Sequence, residues 1–136
     1  FIPFVGRNYF IIWKQSSVRL EFSKILFNIV NKLSYVMAAE GGSATLNCLY
    51  NTSASNHYLY WYRLEEGSSP IFILSRFKIG DGKTVEKRFS SSLDATARSV
   101  PLTIQDLRPS DSAVYYCALA SLPVNPLKHA VLHSSH

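Results

Sequence analysis

Cysteine is scarce in this 136-residue chain, which holds only Cys48 and Cys117. Two thiols cannot furnish the four ligands of a tetrahedral structural zinc site. A structural disulfide fits their spacing better, and it implies an oxidising compartment. Long apolar runs are missing too. Residues 1–5 and 9–13 are short patches separated by Gly6, Arg7 and Asn8. Neither approaches the roughly 18 apolar residues of a spanning helix, or the roughly 7–15 uninterrupted ones of a signal peptide. No Gly-x-Ser-x-Gly elbow, phosphate-binding loop or nucleophile beside a base occurs, so an enzyme or a cofactor has no residue to rest on. Excess charge is absent from the centre of the chain, where residues 36–120 hold eight basic and eight acidic side chains. The net charge of +5 comes from residues 1–35 and from Lys128, which gives a nucleic-acid partner little support. His129, His133 and His136 lack an acidic or cysteine companion, and Pro123 and Pro126 argue against an ordered helix beneath them. No metal site is expected there.

What the chain does contain falls into three textures: an extension (1–35), one domain (36–120) and an irregular tail (121–136). In the extension Phe22, Ile25, Leu26, Ile29, Val30 and Leu33 recur at the spacing of an amphipathic helix, which predicts a partly helical segment. Lys24 and Lys32 beside that stripe allow a membrane-surface helix; translated leader or non-coding sequence is the plainer reading. From Tyr35 onward short runs alternate with turn residues, as an all-β domain requires. Strands are expected over 44–50, 58–63, 71–74, 84–93, 98–104 and from 114. Alternation points Leu46 and Cys48 inward, and sets Leu59 and Trp61 on one face with Tyr60 and Tyr62 on the other. Gly80-Asp81-Gly82 reads as a hairpin turn whose glycines supply positive φ. Pro101 removes a ladder donor and suits an edge or a bulge. About eight short strands, each sheet with one dry face, make a sandwich.

The cysteines lie 69 positions apart, Trp61 follows the first by 13, and Tyr115 stands two before the second in Asp111-Ser112-Ala113-Val114-Tyr115-Tyr116-Cys117. That set is the mark of an immunoglobulin-like sandwich. With Glu40-Gly41, Leu46-x-Cys48, Tyr60-Trp61-Tyr62-Arg63, Leu102-Thr103-Ile104, Leu107 and the closing Cys117-Ala118-Leu119, residues 36–120 resemble the variable domain of a T-cell receptor alpha or delta chain. The resemblance implies a V-type antiparallel β-sandwich stapled by Cys48 and Cys117 under Trp61, with a core of Leu46, Leu59, Leu102, Ile104 and Leu107. It also implies a tyrosine corner at Tyr115 and an ion pair between Arg88 and Asp111.

The functional implications are those of a cell-surface receptor rather than an enzyme. Loops 51–58 and 75–82, and the segment from 118, would bind peptide displayed on a histocompatibility molecule through Asn51, Asn56, His57, Tyr58, Arg76, Lys78 and Ala120. Tyr60, Tyr62, Leu64, Phe72 and Tyr116, with Ile71, form an apolar face suited to a beta-type or gamma-type partner chain, or to burial under the chain's own tail or N-terminal segment. Any membrane anchor would come from segments outside this sequence. Two departures stand out. Leu64 occupies a position where the family carries a glutamine, and nothing after Cys117 matches a joining segment's Phe-Gly-x-Gly. A germline, unrearranged segment is the implied reading, with an open edge left on the strand from 114. A non-rearranging innate receptor or adhesion module of the same V type is the alternative. Asn51-Thr52-Ser53 is an N-glycosylation sequon.

Overall fold

A computed structural model describes residues 8–20, 25–64, 70–120 and 123. The described elements are β1 (Asn8–Leu20), β2 (Ile25–Ala39), β3 (Ala44–Leu46), β4 (Tyr58–Leu64), β5 (Ile71–Phe77), β6 (Phe89–Ser90), β7 (Leu102–Ile104) and β8 (Val114–Ala120), with a 3-10 turn at Pro109–Asp111. They form two sheets, one ordered β2-β1-β8-β4-β5 and the other β3-β7-β6. The architecture is the expected all-β V-type sandwich.

The two sheets enclose a core that the alternation of three segments creates. From 44 to 50 every second residue is buried (Ala44, Leu46, Cys48, Tyr50) while the residues between face solvent. Leu59 and Trp61 from β4, Leu102 and Ile104 from β7, and Tyr115 and Cys117 from β8 complete it, together with Leu107. Burying a side chain of this size stabilises by about 1.5–3 kcal/mol. Cys48 and Cys117 are disulfide-bonded with their Cα atoms 6.3 Å apart. Trp61 is fully buried, and its indole Nε1 donates to the Val100 carbonyl at 2.9 Å. A buried N–H is thereby satisfied, as a tryptophan in an apolar core requires.

The far end of the domain from β4's start is locked by polar contacts. Arg88 makes a two-pronged pair with Asp111, Nη1 to Oδ2 at 2.8 Å and Nη2 to Oδ1 at 2.9 Å. Tyr115 donates its hydroxyl to the Asp111 carbonyl at 2.6 Å, closing the tyrosine corner. The Arg108 amide also donates to Asp111 Oδ2 at 2.8 Å.

Several expectations change. The segment around the helix-spaced stripe is strand, because β2 runs through Ile25–Ala39 against β1. Its β-branched and aromatic residues tolerate an extended backbone, and a sheet edge supplies ladder partners that an isolated helix would lack. β1, the ladder partner of β2, lies in turn along the edge of β8. That edge is therefore not open: β1 pairs with it in parallel, with Ile12 opposite Val114 and Lys14 opposite Tyr116. All other strand pairings are antiparallel. The strand expected over 84–93 contracts to Phe89–Ser90 plus a bridge from Leu74 to Thr84. The one over 98–104 contracts to Leu102–Ile104, starting just after Pro101, which has no N–H to give a ladder.

β4 departs from the pattern of one dry face. Tyr60 and Tyr62 are as buried as Leu59 and Trp61. They join Phe72, Ala118 and Ala120 in a second cluster on the opposite face of the large sheet. A strand in the interior of a sheet, covered on both sides, reads as continuous apolar and aromatic sequence, which Tyr58-Leu59-Tyr60-Trp61-Tyr62 is.

Candidate functional site

Strand register gathers the candidate loops. Tyr58 is paired on one side with Phe77 and on the other with Ala120. β4 begins at that row, while β5 and β8 end there. Loop 51–57 and the loop after 77 therefore lie at the same end of the large sheet, where β8 also ends.

Hydrogen bonds join the first two loops. The Lys78 amide donates to the His57 carbonyl at 3.0 Å, and the Lys78 ammonium donates to the Ser55 carbonyl at 3.2 Å. Asn56 caps its neighbour, its Oδ1 accepting from the His57 amide at 2.9 Å while its Nδ2 donates to the Tyr58 hydroxyl at 3.0 Å. Tyr58 packs edge-on against Phe77 with ring centroids 5.2 Å apart.

His57 is not a surface contact. It is 4% exposed and lies under loop 51–57, where its Nδ1 is 2.7 Å from the Tyr50 hydroxyl. Burial, then the nearby charges of Lys78 and Arg98, push the imidazole pKa below its ordinary 6.5. The neutral ring and the Tyr50 hydroxyl share this hydrogen bond. Tyr50 is in turn shifted upward, first by burial.

Arg76 is likewise committed to partners within the domain. Its guanidinium donates to the carbonyls of Ser91 at 2.9 Å and Ser75 at 2.7 Å and to Thr84 Oγ1 at 2.9 Å. Residues 78–83 fold back on β5 through the Ser75 amide, which donates to the Lys83 carbonyl at 2.9 Å, and the Lys83 amide, which donates to Ser75 Oγ at 3.0 Å (the expected loop 75–82 thus begins with three strand residues). Gly80 takes the positive φ of 99° that the turn needs. Gly82 serves differently: a Cβ there would collide with the Ser75 carbonyl, so this glycine permits close backbone approach. Ala120, expected among the contact residues, is buried in the sheet, so the residues left to meet a ligand are Asn51, Asn56, Tyr58 and Lys78, all partly or wholly exposed.

On the opposite face of β4, Tyr60, Tyr62 and Phe72 are buried, Leu64 and Tyr116 are partly exposed, and Ile71 is 50% exposed. Tyr62 packs against Phe72 at 6.0 Å. Its buried hydroxyl has no hydrogen-bond partner among the described residues, and burial drives its pKa well above the usual 10.0.

One residue that holds a candidate loop escaped sequence reasoning. Arg98 holds a left-handed φ of 55° and donates to Asn51 Oδ1 at 2.7 Å and to the Thr52 carbonyl at 2.6 Å. No local signal reveals a contact between positions 47 apart. The three tail histidines lie outside the described residues. Among the described residues no cluster of three metal-ligating side chains occurs, and no helix is long and apolar enough to cross a membrane.

A disulfide-pinned sandwich with a tyrosine corner, a buried indole and loops gathered at one end is a V-type immunoglobulin domain. The immunoglobulin V-set domain family matches residues 32–133, and the chain belongs to it. Within that family it is similar to T-cell receptor alpha and delta variable regions. It is 36% identical over 113 residues to the T-cell receptor alpha chain V region 2B4 of Mus musculus, covering 78% of this chain and 83% of that one. It is 31% identical over 105 residues to the human T cell receptor alpha variable 38-2/delta variable 8, covering 77% and 90%. With human T cell receptor alpha variable 13-2 it shares 37% identity over 79 residues, or 58% and 68% of the two chains.

Proposed function

We propose that this V-set domain is the antigen-recognising half of a T-cell receptor chain. Its work is non-covalent binding, with no bond made or broken and no cofactor. The observation that carries the reading is the single register row of Phe77, Tyr58 and Ala120, which brings two loops and the end of β8 to one end of a rigid sandwich. Rigid scaffolds with clustered loops suit recognition, because the ordering cost is met before the ligand arrives. Asn51, Asn56, Tyr58 and Lys78 would touch a peptide displayed on a histocompatibility molecule, with His57 and Arg76 holding the loops in shape. The partly exposed Leu64, Tyr116 and Ile71 would meet a beta-type or gamma-type partner chain, over the buried tyrosines. Leu64 replaces a polar cross-chain contact with an apolar one. The domain would then stand on the outer face of the plasma membrane in a receptor complex.

Lymphocyte transcripts test this directly. Sequencing across Cys117-Ala118-Leu119 should return many different continuations, each reaching a Phe-Gly-x-Gly segment. One invariant continuation in every cell overturns the antigen-receptor reading and leaves an innate V-type receptor.

A further inference from the structure

We propose that loop 51–57 and the two cations that clamp it, Lys78 and Arg98, form a subsite for an acidic side chain of a polypeptide ligand, and that His57 beneath the loop takes up a proton as that carboxylate binds. The subsite rests on the loop-end recognition role proposed above. Its two cations come from different elements. Lys78 lies just past the end of β5, where its ammonium donates to the Ser55 carbonyl at 3.2 Å. Arg98 lies in the turn closed by the bridge from Asp94 to Ser99. Its guanidinium donates to the Thr52 carbonyl at 2.6 Å and to Asn51 Oδ1 at 2.7 Å. Thr52 and Ser55 are three residues apart, so their carbonyls lie at most about 11 Å from each other.

Both cations keep donors for a ligand. An ammonium has three N–H groups, and Lys78 gives one to Ser55. Both bonds of Arg98 are made by Nη1, which leaves Nη2 and Nε. Lys78 is exposed and Arg98 partly exposed. Holding two long side chains in place before the ligand arrives removes much of the rotamer cost that weakens ordinary surface ion pairs. The loop between them is also preset. Thr52 Oγ1 accepts from the Ala54 amide at 3.1 Å, and Asn56 Oδ1 from the His57 amide at 2.9 Å. Loop 51–57 contains no acidic residue. The opposing charges are Asp81, in the turn after Lys78, and Asp94, whose Oδ1 already accepts from the amides of Thr96 and Ala97 at 3.0 Å each.

His57 couples the subsite to protons. It is 4% exposed and faces the Tyr50 hydroxyl, Lys78 and Arg98, while Asp94 acts on Tyr50 from the Arg98 turn. Burial and both cations disfavour an imidazolium there. A carboxylate seated between Lys78 and Arg98 offsets their field and moves the His57 pKa upward. By linkage the reverse holds too. Protonated His57 binds the acidic ligand more tightly, so affinity rises as pH falls through the His57 range.

The test uses the full chain with its disulfide closed and two synthetic peptides, acetyl-Gly-Glu-Gly-Glu-Gly-amide and its glutamine counterpart. NMR of the isotope-labelled chain follows the amides of residues 51–57 and the His57 ring, which His57→Gln assigns. The glutamate peptide should bind about two- to five-fold more tightly than the glutamine peptide for each cation engaged. Lys78→Gln and Arg98→Gln should each remove one such factor. Lys78 is exposed, so its variant decides the matter even if Arg98→Gln fails to fold. Equal affinity for the two peptides, or a preference undiminished in Lys78→Gln, overturns the subsite. The His57 ring should titrate at higher pH in the glutamate complex, and an unmoved midpoint overturns the proton coupling. Equal affinities alongside diverse transcripts would remove the subsite and keep the antigen receptor. A glutamate preference alongside one invariant transcript would keep the subsite, as part of an innate receptor.

Discussion

Replacing Asp111 with asparagine should be among the most damaging isosteric changes available to the domain. The side chain is 1% exposed and accepts two bonds from Arg88 and one from the Arg108 amide, with Arg63 Nη1 a further 3.9 Å away. Asparagine keeps the shape, loses the charge and points an amide donor at a donor-only guanidinium. Removing one partner of a buried ion pair costs about 3–5 kcal/mol. Arg88 is 14% exposed and keeps its bonds to the Gln105 and Asp106 carbonyls, so the lower end, about 3 kcal/mol, applies. For a domain of this size that lowers the melting temperature by about 12–24 °C.

The pH dependence identifies the cause. Burial raises the Asp111 pKa, but the hydrogen bonds from Arg88 and Arg108 and the charges of Arg88 and Arg63 outweigh it, leaving a net value below the ordinary 3.8. A depressed carboxyl pKa contributes stability that is present above the unfolded value, about 3.9, and is lost as pH falls through the folded one. Urea midpoints of the oxidised protein should therefore show a wild-type advantage over Asp111→Asn at neutral pH that shrinks below about pH 4. A double replacement by apolar residues, Arg88→Met with Asp111→Leu, should be less harmful than Asp111→Asn alone. A neutral-pH loss under about 1 kcal/mol, the value of an exposed pair, or one unchanged in acid, would refute the reasoning.

Four further outcomes are expected. Changing both Cys48 and Cys117 to alanine should cost about 4 kcal/mol, read from urea midpoints, because the bridge closes a loop of about 70 residues in the unfolded chain. Gly82→Ala should destabilise by about 2 kcal/mol through the clash with the Ser75 carbonyl, measured by calorimetry. Gly41→Ala, at a φ of 80° with open space around it, should cost less, about 1 kcal/mol. His57 should confer sensitivity to mild acid. Its folded pKa lies below the unfolded 6.5, so the unfolded chain takes the proton first and stability declines as pH falls below that value. His57→Gln should flatten the slope between about pH 7 and 5, followed by thermal melts.

The sandwich is legible in a handful of residues. Cys48, Trp61, Tyr115 and Cys117 can share one core only if two strands face each other across it, and the alternation around each fixes which side is inward. The ends of the strands were harder to read. Pro101 trims β7 by removing a donor, and Gly82 marks a close approach rather than a left-handed turn, which residue type alone does not distinguish. The helix-spaced stripe of the extension competes with a strand, and the pairing edge offered by β1, itself seated on β8, is a partner that no local pattern contains. Loop chemistry was misread in the same way. His57 and Arg76 look like recognition residues, yet one is buried against Tyr50 and the other is bound to the carbonyls of Ser75 and Ser91.

The amino-acid sequence by itself determined the fold class, the disulfide and the family, because alternation and cysteine spacing act through local geometry and a single core. Only the tertiary structure decided which loop side chains remain available, where Arg98 meets Asn51 and what pairs with the edge of β8. The last two join residues dozens of positions apart, and nothing in the spacing of either partner encodes the other.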